Sequence, residues 1–301
     1  MRLVRFASSD GPRLGLQEVD ADDNTLSLFD LTDALNCLVP EQGAPADGFR
    51  DVAALARAGW LAPERLRELL RDYHGGKAKE KLAEPRQLLA PIHRPEKIIA
   101  LGMNYAKHAR ELGTAAPAEP IIFSKAASAI IGPGEPVVCK PEWGRIDPEV
   151  ELAVVMGRRA KEAPLAEAME YVGGYTVLND MTAREMQARD MAARQPWFRS
   201  KSIDTFCPLG PSVVLPDEIA DPGNLKLEMR VNGEVRQQAS TSDLIFGVPF
   251  LIHYISGLIT LEPGDIIATG TPEGIAPVQP GDVMEAWVEK IGVLRNPVVQ
   301  G

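Results

Sequence analysis

The sequence predicts a mainly β, mixed α+β fold with a small α+β part at its N-terminus. Three observations point there. From residue 97 onward, short β-rich runs are cut by Gly, Pro and Asn: KIIAL, PVVCK, VELAVVM, GYTVLND, LKLEMRV and DIIAT. Helical stretches such as NYAKHAREL and TAREMQARDMAA interrupt these runs without regular β-α alternation, which argues against a doubly wound parallel sheet. Before residue 90 short strands mix with amphipathic helices, and a charged stretch, GGKAKEKLAEPRQ, is followed by the proline-bearing LLAPIHRPEK. The expected boundary is therefore near residue 90, with a small N-terminal domain at 1–90 and the main domain at 91–301.

In chain order, RLVRF, RLGLQEV and LSLF read as strands, and LTDALNCLV as a helical stretch. FRDVAALARAG and APERLRELLRDYH carry apolar residues at three- and four-residue spacing, the period of helices with one buried face. Further on, MRVNGEVRQ sets Asn232-Gly233 between two strand-like arms, the signal for a tight hairpin. EPGD and QPGD mark two later turns.

The chain has 301 residues, 45% of them apolar, enough for one large core or two moderate ones. A net charge of -10 argues against nucleic acid or an anionic membrane as partner. The N-terminal MRLVRFASSDG lacks a signal-like apolar stretch, and no apolar run reaches the ~18 residues of a membrane span. Cys37, Cys139 and Cys207 form no zinc or redox spacing and read as small buried hydrophobes in a reducing compartment. The expected setting is the cytoplasm.

The segment IDPEVELAVVMG, residues 146–157, is unusual. Read as one strand, it places Glu149 and Glu151 on the same side, with Asp147 one step earlier. Ala153 and Val155 continue the glutamate side while Val150, Leu152 and Val154 fill the other, so both faces are apolar. Clustered buried anions need a cation. Carboxylates without His or Cys suit a hard ion, Mg²⁺ first, then Mn²⁺ or Ca²⁺. A third carboxylate is available in Asp180, at the end of GGYTVLND, although Asp180 alone reads better as a helix N-cap with no ligand role.

His108 and Glu111 stand three apart in NYAKHARELG, within reach of each other on one helical turn. Such a pair either decorates a surface or forms an oriented general base that activates water. Lys201, in FRSKSIDTFCPLGP, either binds an anion or coats the surface. His253, in the apolar LIHYIS, reads as a hydrogen-bonded core histidine.

Eight segments, in order, resemble the fumarylacetoacetate hydrolase superfamily: KIIALGMNYAKHAREL, FSKAASAIIGPGEPVV, DPEVELAVVMGR, GGYTVLNDMTARE, WFRSKSIDTFCPLGP, LIFGVPFLIHYIS, GDIIATGTPEGI and IGVLRNPVV. The resemblance implies a β-sandwich roll in the main domain and a homodimer. It places Glu149, Glu151 and Asp180 where the family holds Mg²⁺ or Mn²⁺, and His108 and Glu111 on its water-activating dyad. Lys201 falls near the reacting oxygens, while Met103, Lys125, Arg184, Gln187 and Thr271 fall around the substrate. Apart from the resemblance, residues 103–114, with GMNY ahead of the helix, are a candidate lid that excludes bulk water.

Departures from the family pattern are Pro148, Ala126, Ser202-Ile203, Glu185, Glu273, Ala276 and Met103. None removes a metal ligand or a dyad member; they bear on substrate choice. The expected activity is acylpyruvase- or fumarylpyruvate hydrolase-like: metal-dependent hydrolysis of a C–C bond in a small 2,4-dioxo acid, giving pyruvate and a carboxylic acid. The alternatives are a decarboxylase of oxaloacetate or a related 2-oxo-dioate, an isomerase of an unsaturated oxo-dioate, and a non-catalytic metal binder.

Overall fold

The computed structural model describes residues 1–19, 26–38, 48–74 and 87–301 of the chain. GGKAKEKLAEPRQ lies, except for its last residue, outside the described residues, as does the side chain of Cys37. The architecture is mainly β with several short helices. Among the described residues, one mixed sheet of 11 strands faces a second sheet of five, and neither closes into a barrel.

The centre of the large sheet runs through Cys207–Val214, Val172–Asn179, Val150–Met156, Ile266–Ala268 and Ile98–Gly102, with Ile121–Ser124 at the edge. Along this path the pairings are antiparallel except that Ile266–Ala268 runs parallel to Ile98–Gly102, in register Ile266↔Ile98; off it, Ile130–Ile131 runs parallel to Cys207–Val214. Arg2–Phe6 adds to the other side, pairing antiparallel with Cys207–Val214 through Arg2↔Val214 and Leu3↔Val213. Arg13–Val19 and Leu26–Asp30 then extend the sheet outward. The N-terminal strands thus cover what would otherwise be an open strand edge.

The five-stranded sheet is built around Lys226–Val231, Val283–Val288 and Gly292–Gln300. Its hairpin at Asn232-Gly233 is the tight turn that the sequence predicts: φ is 53° and 82° at the two residues, and Val231 faces Glu234 across it.

Val150–Met156 is buried along its whole length. Val150, Leu152 and Val154 enter the core between the two sheets, while Ala153 and Val155 enter a second core under the N-terminal helices. Burying one such Val or Leu contributes on the order of 1.5–3 kcal/mol, so this strand is anchored from both sides. The second core is closed by Val52–Arg57, whose N-cap Asp51 accepts a hydrogen bond from the Ala54 amide, and by Pro63–His74, which starts on proline. Cys139 and Cys207 are buried free thiols. His253 departs from the expectation: its ring hydrogen-bonds the Ala163 carbonyl at 2.8 Å but lies on the exposed side of helix Val248–Leu258. No helix among the described residues is long and apolar enough to cross a membrane.

Candidate active site

Pro148 breaks the segment that carries the acidic residues. Ile146–Asp147 and Val150–Met156 are separate strands, so Glu149 stands just ahead of the second rather than inside it. Its amide, left without a ladder partner, donates to Asn179 Oδ1 (2.8 Å), and its carbonyl accepts from the Asp180 amide (2.9 Å). These two bonds bring Asp180 beside Glu149. Asp180 caps no helix: the next one, Arg184–Ala192, has Ala183 at its N-cap.

Glu149, Glu151 and Asp180 each offer an oxygen to a cluster in which all three lie within 4.8 Å of one another, and all three residues are buried. Side-chain cations partly neutralise the cluster. Lys201 Nζ donates to Glu149 Oε2 (2.7 Å) and Asp180 Oδ2 (2.5 Å), and Lys125 Nζ donates to Asp180 Oδ1 (2.6 Å). Arg184 forks between Asp147 Oδ2 (2.8 Å) and Glu149 Oε1. Asp147, also held by Arg145, is thereby turned to the guanidinium groups.

Glu151 differs from its neighbours. It accepts one hydrogen bond, from the Gly270 amide (2.8 Å), and no side-chain cation lies within ion-pair distance among the described residues. Burial, then the nearby Asp180 carboxylate, push its carboxyl well above the ordinary range. Burial acts the same way on Glu149, but Lys201 and Arg184 outweigh it and hold that carboxyl low. Lys201 keeps its proton because Asp180 and Glu149 outweigh its own burial.

This donor set fits a hard divalent ion. It offers three converging carboxylates and no His or Cys, one carboxylate lacks a counter-cation, and each paired oxygen keeps a second lone pair.

Across the cavity, His108 and Glu111 lie on helix Ala106–Glu111, with His108 Nδ1 3.0 Å from Glu111 Oε2. The pair straddles the surface, with Glu111 its exposed member. His108 is buried, and Glu111 Oε1 accepts from the Gly274 amide (3.0 Å). Gly274 has φ of 98°, and a Cβ there would lie 2.1 Å from the Arg236 carbonyl oxygen, so only glycine fits. The same loop is laced to the acidic strand: Thr269 Oγ1 donates to the Leu152 carbonyl and Thr271 Oγ1 to that of Val150.

A cavity of about 210 Å³ joins these groups. His108, Glu149, Glu151, Arg184 and Lys201 line it, as do Met103, Gln187 and Thr271. Lys125 and Asp180 stand buried behind the walls as partners of Lys201, while Glu111, an exposed residue, reaches the cavity through His108. Sequence reasoning missed an apolar wall of Leu112, Phe123, Met191 and Trp197. The aromatic pair in PWFRSK, just ahead of Lys201, was the available signal.

Residues 97–299 match the family described as fumarylacetoacetate (FAA) hydrolase C-terminal. A mitochondrial oxaloacetate tautomerase of Bos taurus is 47% identical over 218 residues, 70% of this chain and 69% of that protein. The crystal structure of a 5-carboxymethyl-2-hydroxymuconate delta-isomerase from Mycobacterium smegmatis is 38% identical, with a TM-score of 0.75 over 100% of this chain and 99% of that one. A maleylpyruvate hydrolase from Sphingobium sp. SYK-6, in complex with manganese(II) and pyruvate, is 35% identical, with a TM-score of 0.78 over 100% of both chains. With two thirds of its length matched and its acidic cluster formed, the chain belongs to the fumarylacetoacetate hydrolase family of enzymes.

Proposed function

We propose that the protein hydrolyses the C–C bond of a 2,4-dioxo acid, releasing pyruvate and a carboxylic acid. The observation that carries this reading is the His108–Glu111 contact at 3.0 Å on the cavity wall. Glu149, Glu151 and Asp180 would hold a divalent ion, Mg²⁺ in this reading with Mn²⁺ as substitute, which would supply Lewis acidity at the 2-oxo acid end of the substrate.

The protein's own groups do the rest. Glu111 takes the Nδ1 proton of His108 as a hydrogen bond, which leaves Nε2 free to accept a proton from water. The water oxygen bonds to the distal carbonyl carbon. Collapse of that adduct breaks the C3–C4 bond, and the electron pair passes to the pyruvate enolate. Lys201, charged and fixed by two carboxylates, stabilises the negative charge as it develops. Protonated His108 returns its proton to C3, giving pyruvate. Gln187 and Thr271 supply neutral polar contacts at the same end.

A second reading, keto–enol tautomerisation of oxaloacetate, is supported by the likeness to the Bos taurus tautomerase. It uses the same histidine to move a proton at C3 without a water attack. Incubation with acetopyruvate and Mg²⁺, with pyruvate measured enzymatically, tests the choice. Pyruvate release dependent on His108 supports hydrolysis. Absence of release, with accelerated loss of the enol absorbance of oxaloacetate, would replace it by tautomerisation.

A further inference from the structure

The cavity has an apolar arm whose walls follow one helix. Arg184, Gln187, Ala188 and Met191 face it from successive turns of Arg184–Ala192. At ~1.5 Å rise per residue, Met191 stands about 10 Å along the axis from Arg184, away from the carboxylates. Phe123 and Trp197 form the facing wall, edge to face with centroids 5.5 Å apart. Trp197 is seated on Gly102, where a Cβ would lie 2.6 Å from the indole ring. Leu112, at the end of the His108 helix, completes the arm.

Charge is distributed unevenly along this path. The cationic or titratable nitrogen groups that line the cavity are Arg184, Lys201 and His108, and all three serve the carboxylate end. Arg184 already uses Nε, Nη1 and Nη2 on Asp147, Gln187 and Glu149. Lys201 Nζ stands 5.2 Å from the centre of the Phe123 ring at the inner end of the arm, but it is committed to Glu149 and Asp180; among the described residues no other cation lines the arm. A second carboxylate pointing that way would lose water and gain no partner. An alkyl or phenyl group would instead cover apolar surface that is now open, for Met191 is 48% exposed and Leu112 39%.

We propose that this arm receives the acyl tail of the substrate and selects an uncharged, apolar one. The preferred substrate class is then an acylpyruvate with a medium alkyl or an aryl acyl group, a monocarboxylic acid. Trp197 and Met191 are the specificity-determining residues. The proposal rests on the hydrolase reading only for the name of the reaction. The arm's preference is a matter of binding and is measurable without turnover.

The test compares acetopyruvate, butyrylpyruvate, hexanoylpyruvate and succinylpyruvate in the presence of Mg²⁺, by kcat/KM and by calorimetric titration. Succinylpyruvate matches the butyryl compound in acyl carbon count but ends in a carboxylate. From acetyl to hexanoyl, the gain expected is roughly 3- to 4-fold per methylene. Succinylpyruvate should fall about 10-fold or more below butyrylpyruvate. Met191→Arg, at an exposed position that tolerates charge, should reverse the succinyl-to-butyryl order. Trp197→Ala should flatten the dependence on tail length. A flat or inverted tail preference in the wild type, or an unchanged ratio in Met191→Arg, would overturn the proposal. If no acylpyruvate is cleaved, the hydrolase reading fails by itself, and the calorimetric ranking still decides the arm.

Discussion

Lys201 Nζ lies 2.5 Å from Asp180 Oδ2 and 2.7 Å from Glu149 Oε2, bridging two members of the acidic triad, while the third, Glu151, makes no ion pair among the described residues. The triad is therefore unequal, and its members are expected to respond differently to the same substitution.

Glu151→Gln removes a buried carboxyl that makes no ion pair among the described residues and whose ionised form burial and Asp180 disfavour. In metal-free protein, the variant is expected to be at least as stable as the wild type, by about 1 kcal/mol or so. Its affinity for Mg²⁺ or Mn²⁺ should fall at least ~10-fold. Thermal unfolding in EDTA and calorimetric metal titration read the two opposite signs; a clear loss of metal-free stability would contradict the unpaired state of Glu151.

Glu149→Gln breaks two buried ion pairs at once, with Lys201 and Arg184. Removing one partner of a buried pair costs about 3–5 kcal/mol. The variant should unfold at markedly lower denaturant concentration than Glu151→Gln, and equal midpoints for the two would refute this ranking.

His108→Ala should lower kcat by ~10²–10⁴-fold and leave metal affinity within a few-fold of wild type. Glu111→Gln keeps a polar group at the Gly274 amide but orients the imidazole poorly, so a smaller loss is expected. Near wild-type turnover by the alanine variant would remove the dyad from the chemistry.

Gly274→Ala forces a Cβ against the Arg236 carbonyl at a residue with φ of 98°. The loop must shift, and with it the amide that fastens Glu111. A destabilisation of about 1–3 kcal/mol is expected, together with a lowered kcat. Unfolding curves and steady-state kinetics on one sample check both.

Burial pushes the Cys139 thiol up to about 11 and the Cys207 thiol up to about 12. Neither forms appreciable thiolate at pH 8, so iodoacetamide should label both slowly in native protein and rapidly in urea. Peptide mapping resolves them from Cys37, and rapid native labelling of Cys207 would show that its strand opens.

Alternation and local spacing in the sequence determined the strands, the Asn232-Gly233 hairpin and the His108–Glu111 contact, because each depends on groups within a few residues of one another. Alternation also marked Glu149 and Glu151 as anions that need neutralising, whereas Asp180, in another segment, joined them through the family resemblance. The tertiary structure decided how that neutralisation is shared. Lys125 meets Asp180 across 55 residues, Lys201 meets Glu149 across 52, and the Gly274 amide reaches Glu111 across 163. It also decided that Phe123 and Trp197 stand together as the apolar wall. Such contacts follow from the order in which strands join the sheet. Periodicity reports which face of a segment is buried, but not which distant segment covers it.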